Sequence, residues 1–553
     1  MWAPVKSSTL AKRRYLPSAI WEMPADNYHD HSTSALSRLF RVATYMIGFW
    51  TRLTAGRGSL GPSNPAIDVA RFLAMFAATY WIAFCLMRWP SPAWNDLLEA
   101  WAWGAQLQLG YHKHPPFYSW VTYAWFQVFP RADWASYLLS ITNVVVGLAG
   151  VWTLSGFLAM PPRTRLLSVA LLTLTPPYNL MASNYGADTA LLSIWPWTIY
   201  AFVRSIEERS TVNTILFGAL AAAALLSKYS SVLMLISCFV AALLHPAARA
   251  YFRWHGPYLA MAVCAVLCLP HLFWALGEGA PTLKYALERM TGGRTWLSRV
   301  SIAPGIGLAA LAILAVPSAT LWFVLGRRRI AVLWARRVQA TARVPLWLWV
   351  LALGPAGLTL LLGLFGIASI ILNFFIPTYF LLSLLVLLVF EPALSAERAR
   401  RAMVPAFVFP MLAIVTAPAI AYGTVAFRIK ETGNVTAEAA HAARAIWLRK
   451  VRVPVVLVGG TKEYALAAAF YLPEAPKYVS IFSFAETPWV RASDVARDGI
   501  LIICEDDDRS CRPRVTHLAK RDLHSHHIQL ERRFLGAHGG EKRISIYIIP
   551  PAD

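Results

Sequence analysis

The side chains best suited to chemistry lie together in residues 95–126, NDLLEAWAWGAQLQLGYHKHPPFYSWVTYAWF. Asp96 and Glu99 are spaced so that a helix puts both on one face. Trp101 and Trp103 follow on the same stretch. Gly110-Tyr111-His112-Lys113-His114-Pro115-Pro116 then makes a compact cationic turn, stiffened by two prolines. A carboxylate facing such a turn could take a proton from a hydroxyl while the cations hold a phosphate leaving group. The plain alternative is a loop of interfacial Trp and Tyr in which Asp96 only caps a helix.

Three further segments carry isolated charges. Asn184-Tyr185-Gly186-Ala187-Asp188-Thr189 puts a carboxylate at the start of an apolar run, where an N-cap would explain it equally well. Lys228-Tyr229 stands between two apolar runs, and its ammonium could simply snorkel to the surface. Residues 270–296 carry Glu278 and Glu288 together with Lys284, Arg289 and Arg294, three cations suited to a lipid phosphate or to ordinary headgroups.

The frame that must position these groups is a membrane. Of 553 residues, 57% are apolar or aromatic, only 14% are charged, and Trp occurs 23 times. A soluble globule of this size has too little interior to hide that much apolar surface. A net charge of +22 would point to nucleic acid in a soluble chain; here it reads as a matter of loop placement. Runs long enough to span the bilayer fall at 67–89, 135–159, 166–181, 188–204, 212–227, 229–246, 257–277, 304–326, 345–364, 366–390 and 403–423. The fold class is therefore an α-helical polytopic membrane protein of about eleven spans.

Residues 1–66 are basic and lack a signal-peptide core, and 36–54 read as a helix lying on the membrane surface. With the N-terminus in the cytoplasm, inside segments hold 23 Lys or Arg and outside loops before residue 424 hold 7. That bias puts loop 90–134, loop 278–303 and the tail 424–553 outside. The tail alternates strand and helix patterns, with strands expected in VPVVLVGG, YVSIFSF, GILIIC and RISIYIIPP and a hairpin turn at Gly539-Gly540. It reads as a small α/β domain following a membrane domain over 67–423. Cys504 and Cys511 in that tail either pair or stay free thiols. His524-Ser525-His526-His527 fits a solvated basic face better than a metal site.

These residues resemble the lipid-linked-sugar glycosyltransferases of the GT-C superfamily. The nearest branch holds bacterial aminoarabinose transferases, lipid A and lipopolysaccharide-core galacturonosyltransferases and protein O-mannosyltransferases. Asp96, Trp103 and Gly110-Tyr111 with the His114-Pro115-Pro116 turn match that branch's first-loop motif. Asp188, Ser227-Lys228-Tyr229 and Pro270 with Trp274 match later motifs in the same order. The resemblance covers roughly residues 67–300 and implies a GT-C bundle with a partly helical periplasmic first loop. One position departs: Leu97 stands where the family often has Glu. Either Glu99 takes over part of that role or the acceptor is handled differently.

The resemblance implies an inverting transfer of a sugar from a polyprenyl-phosphate donor to a lipid A, core or other envelope acceptor. Asp96, with Glu99, would act as base, and Tyr111, His112, Lys113, His114, Asp188, Lys228, Tyr229 and Arg289 would bind substrate or phosphate. No cofactor is required, although Asp96, Glu99 and the two histidines could hold a divalent ion. No nucleic-acid partner is expected, and the setting is a bacterial inner membrane. A transporter or flippase for a charged lipid is the alternative; it predicts mid-span charges and paired repeats, and few of either are visible.

Overall fold

The computed structural model describes residues 65–292, 295–326, 344–390, 395–429, 435–519 and 524–552. The expected surface helix 36–54, the basic run 327–343 and Arg294 lie outside the described residues. The described residues belong to one compact unit, Ser63–Asp553.

Most of this unit is helix. Among the described residues, five helices are long and apolar enough to cross a membrane: α1 (Pro65–Met87), then Asp133–Phe157, Gly256–Gly277, Leu346–Leu364 and the proline-interrupted Ala396–Ala426. Two bent pairs raise the number to seven: Trp296–Ala312 with Ala315–Leu325, and Leu372–Thr378 with Phe380–Val389. Apolar helices Thr211–Ser227 and Val232–Leu244 are shorter. The count of eleven is thus not reproduced by length and composition. Run 166–181, for example, holds a helix that stops at Thr173 and gives way to 3-10 turns at Pro176–Tyr178 and Leu180–Ser183, because Pro176 and Pro177 supply no backbone N–H to continue it.

Between the first two spanning helices, loop 90–134 folds into two helices, α2 (Asn95–Gly104) and α3 (Phe117–Val128). In α2 every residue from Leu97 to Gly104 is buried, while Asn95 and Asp96 stay exposed. The helices touch at Gly104, where a Cβ would meet the Ser119 carbonyl oxygen at 2.1 Å. Only a residue without a side chain permits that approach.

The C-terminal part is a five-stranded mixed sheet. In chain order its elements are α4 (Thr436–Lys450), β1 (Leu457–Gly460), α5 (Lys462–Tyr471), β2 (Lys477–Tyr478), α6 (Ala492–Asp498), β3 (Ile500–Glu505), α7 (Cys511–Leu518), β4 (His524–Phe534) and β5 (Ala537–Ile549). The sheet order is β2-β1-β3-β5-β4. β1 runs parallel to β2 and β3, while β5 runs antiparallel to β3 and β4.

Three details differ from the sequence-based expectation. YVSIFSF contributes only the end of β2, and its Phe484 opens a 3-10 turn. The hairpin turns at Leu535-Gly536, both at positive φ, so Gly539 and Gly540 sit inside β5. A two-residue hairpin loop selects for positive φ at both positions, and a glycine pair alone does not fix it. His524–His527 form the start of β4, with His527 Nδ1 3.0 Å from the Ser545 hydroxyl. Cys504 and Cys511 form a disulfide.

One core joins the loop to the sheet domain. Leu98, Trp101 and Tyr118 from the loop pack in the same cluster as Trp447, Phe470 and Ile503 from the tail. Trp101 and Phe126 each meet Phe470 edge-on, at 5.6 and 5.1 Å between ring centroids. Arg131 donates to the carbonyl oxygens of Phe470 at 2.8 Å and Pro473 at 3.1 Å. The Tyr471 hydroxyl donates to Asp133 at 2.5 Å.

Candidate active site

A cavity of 790 Å³ opens where the loop, the spanning helices and helix Pro281–Thr291 meet. Asp96, Glu99, Lys113, His114, Asp188, Lys228, Tyr229 and Arg289 all line it. Residues spread from position 96 to 289 are therefore brought to one place. Most of the rest of the wall is apolar, including Met181, Leu233, Leu283, Ile370 and Phe374, with Asn184, Tyr285 and Asn373 among its polar members. Such a cavity suits a molecule that is charged at one end and hydrocarbon at the other.

The charged end is organised as ion pairs. The Lys113 ammonium donates to Glu99 Oε2 at 3.0 Å and lies 3.6 Å from Asp96 Oδ1. Burial alone would lower the Lys113 pKa, but Glu99 and then Asp96 outweigh it and raise the pKa above the usual lysine value. Lys113 is therefore a fixed cation. Asp96 sits on the first turn of α2, exposed, and accepts a hydrogen bond from the Asn184 amide at 3.1 Å. It does not cap α2, whose N-cap is Trp94. Glu99, one turn further in, is only 2% exposed. Its Oε1 lies 2.5 Å from the Lys462 ammonium, on the first residue of α5 in the tail domain.

Also lining the cavity, Lys228 pairs with Asp188 and lies 4.8 Å over the Phe374 ring. Asp188 is not the N-cap either. Gly186 holds that position, and its N–H donates to Thr189 Oγ1 at 2.9 Å. The Asp188 carboxylate is thereby left for Lys228, and Lys228 does not simply snorkel. Arg289 is exposed and has no ion-pair partner among the described residues.

The cationic turn is clamped from behind. Tyr111 does not line the cavity; it is 1% exposed and stacks on Trp103 at 5.3 Å and 13°. Thr282 donates to the Tyr111 carbonyl at 2.6 Å. His112 also lies outside the cavity wall and meets Tyr285 edge-on at 5.7 Å. Tyr229, expected to bind substrate, engages His271 Nε2 at 2.6 Å, and His271 Nδ1 donates to the Leu109 carbonyl at 2.7 Å. That neutral tautomer leaves Nε2 to accept from the Tyr229 hydroxyl. His114 is pushed well below the usual histidine range by burial and then by Lys228, Lys113 and Lys462. Its imidazole is neutral at pH 7.

Asn184, His271, Tyr285 and Lys462 were not anticipated as site residues. Asn184 was legible, since it lies in the same short segment as Asp188. Lys462 has no local signal, because only the folding of the tail brings it to Glu99. Among the described residues no group of three or more His, Cys, Asp or Glu side chains is placed to hold a metal ion. Asp96 and Glu99 face ammonium groups instead.

Several known proteins are similar to this chain. Residues 113–274 match the family described as dolichyl-phosphate-mannose-protein mannosyltransferase. The chain is 27% identical over 376 residues to the lipopolysaccharide core galacturonosyltransferase RgtB of Rhizobium johnstonii, covering 65% of this chain and 72% of that one. It is 26% identical over 195 residues to the lipid A galacturonosyltransferase RgtD of the same organism, covering 35% and 40%. Its fold is that of ArnT from Cupriavidus metallidurans, whose crystal structure is bound to undecaprenyl phosphate: the TM-score is 0.56 at 13% identity, over 87% of this chain and 97% of that one. The resemblance to the GT-C superfamily first read from the loop motif is the one these comparisons support, on the side of a transferase and not of a transporter.

Proposed function

We propose that this multi-pass membrane glycosyltransferase of GT-C type moves a sugar from polyprenyl phosphate to a lipid A or lipopolysaccharide-core acceptor, with inversion. The observation that carries the reading is the amphiphilic cavity. It holds an exposed carboxylate, Asp96, 3.6 Å from a fixed cation, Lys113, with an apolar wall beside them. The names of the relatives favour a uronic acid as the sugar.

In this mechanism Asp96 accepts the proton of the acceptor hydroxyl. The hydroxyl oxygen forms a bond to the anomeric carbon on the face opposite the phosphate. The bond from that carbon to the phosphate oxygen breaks, and its electron pair leaves with polyprenyl phosphate. The leaving phosphate gains a negative charge, which Lys113, Lys228 and Arg289 offset. Asn184 orients Asp96, and Asp188 holds Lys228 in place. No step needs a metal ion.

The site faces the periplasm in this reading, with the N-terminus in the cytoplasm of a bacterial inner-membrane protein. The 23-to-7 bias of Lys and Arg supports it, as does a disulfide in the tail domain. The test is transfer by purified protein in nanodiscs from a panel of polyprenyl-phosphate sugars, with galacturonic acid among them, to an envelope lipid extract. Asp96→Asn should lose about a hundredfold or more in turnover while still binding undecaprenyl phosphate. Undiminished transfer by Asp96→Asn would remove Asp96 as the base; no transfer from any donor by wild type would remove the reading itself.

A further inference from the structure

Glu99 is a buried carboxylate on the cavity wall held by two ammonium groups from opposite ends of the chain. Lys113 reaches Oε2 at 3.0 Å from the first loop, and Lys462 reaches Oε1 at 2.5 Å from the tail domain. The two lysines differ in place. Lys113 lines the cavity, whereas Lys462 stands behind Glu99 and does not. Lys462 is delivered there by a tight construction. β1 ends at Gly460, whose φ is +123° and whose Cβ would fall 2.0 Å from the Ile503 carbonyl oxygen, so the chain turns directly from the sheet into α5.

We propose that Lys462 is a positioning residue for donor binding: it keeps Glu99 paired so that Lys113 is free to turn to the donor phosphate. The proposal rests on the lipid-phosphate reading of the cavity. A buried carboxylate that loses its only cation becomes an uncompensated charge, and proteins resist that strongly. With Lys113 as sole partner of Glu99, each donor bound would strip Glu99 of its counter-charge. With Lys462 behind it, Glu99 stays neutralised while the Lys113 donors rotate by a short distance, Asp96 already being within 3.6 Å. The tail domain would then complete the site, and a chain with its tail displaced would bind donor poorly although Asp96, Lys113, Asp188 and Lys228 were all intact.

The experiment measures binding of undecaprenyl phosphate, and donor KM and kcat where transfer is seen. It uses the full chain in nanodiscs as wild type, Lys462→Met, Lys462→Arg, Glu99→Gln and the double variant Glu99→Gln/Lys462→Met. Lys462→Met should bind about tenfold more weakly and raise KM by a similar factor with little change in kcat. Lys462→Arg should restore binding, since a guanidinium also pairs with a carboxylate. The double variant should bind no more weakly than Glu99→Gln alone, because Lys462 acts through Glu99. Wild-type affinity in Lys462→Met, or losses that add in the double variant, would overturn the proposal. If Lys462→Met does not fold, the double variant, which buries no unpaired carboxylate, provides the same comparison with Glu99→Gln. Wild type that binds undecaprenyl phosphate but transfers no sugar removes the transferase reading and leaves the role of Lys462 standing. Wild type that fails to bind it removes both.

Discussion

Trp274 lies against Gly110 so closely that a Cβ on Gly110 would sit 2.1 Å from its ring. The same indole stacks on His271 at 5.7 Å and 18°, and His271 holds both the Leu109 carbonyl and Tyr229. The end of one spanning helix thus clasps the start of the cationic turn. A methyl group there must push the indole away, at a cost of about 1–3 kcal/mol. Gly110→Ala should lower the melting temperature and weaken undecaprenyl phosphate binding together, because the turn that carries Lys113 shifts. An unchanged melting temperature would show that the clasp yields freely.

The pair of Lys228 and Asp188 makes a second prediction. Lys228 and Asp188 are part-buried, with side chains 12% and 22% exposed. Lys228→Met removes a phosphate donor and also leaves Asp188 without its cation. Loss of one charge-assisted hydrogen bond predicts undecaprenyl phosphate binding weaker by about tenfold or more. The double variant Lys228→Met/Asp188→Asn should regain stability but not affinity. Recovery of affinity would mean that Lys228 serves only to neutralise Asp188.

Much of the cavity was legible in the sequence because its residues sit in short, dense segments. Asp96, Lys113, Asp188 and Lys228 lie beside apolar runs, where charges are costly and few. What the segments could not show was pairing. Lys113 and Lys228, expected to contact phosphate, are each paired with a particular carboxylate, Glu99 or Asp188, and spacing alone does not assign those partners. Tyr111 and His112 belong to the same turn yet point away from the cavity, since a turn has two sides and spacing does not say which faces the ligand. The contact between the tail and the loop was hidden for a similar reason: nothing local to Phe470 or Trp101 names its partner, and only the tertiary structure gives them a shared core.

His114 supplies a pH prediction. Its folded-state pKa lies well below the ordinary histidine value of 6.5, through burial first and then the lysines around it. In the unfolded chain it titrates near that ordinary value. As pH falls past 6.5 the unfolded state takes up a proton that the folded state refuses, so stability falls with pH. The contribution is fully present above that pH and is lost progressively below it. Thermal unfolding from pH 8 to pH 5 should therefore show a steeper loss for wild type than for His114→Gln. Parallel curves would mean that the folded protein accommodates the imidazolium.

The disulfide between Cys504 and Cys511 ties the end of β3 to the start of α7 across a sequence separation of 7. Closing so short a loop contributes about 2 kcal/mol in the chain-entropy account. Cys504→Ser/Cys511→Ser should lower the melting temperature modestly and leave undecaprenyl phosphate binding intact, since the bond lies away from the cavity lining. Loss of binding would tie this corner of the sheet to the site.

Arg131 makes the last prediction, because it fastens the tail domain to the loop that carries Asp96 and Lys113. Its guanidinium donates to Phe470 and Pro473 and lies 5.2 Å over the face of Trp101. Next to it, Asp133 accepts from the Tyr471 hydroxyl at 2.5 Å and from the Ala93 amide at 3.0 Å. The contacts to Phe470, Tyr471 and Pro473 gather at the C-terminal end of α5, whose first residue is Lys462. Hydrogen bonds from a charged donor are worth about 1.5–3 kcal/mol each at most, and partial exposure reduces that. Arg131→Ala should therefore loosen α5 without unfolding it. Amide exchange in 462–471 should quicken, and undecaprenyl phosphate binding should weaken in step as Lys462 drifts from Glu99. Faster exchange with binding unchanged would separate the two, leaving Arg131 a fastening of the tail with no bearing on the cavity.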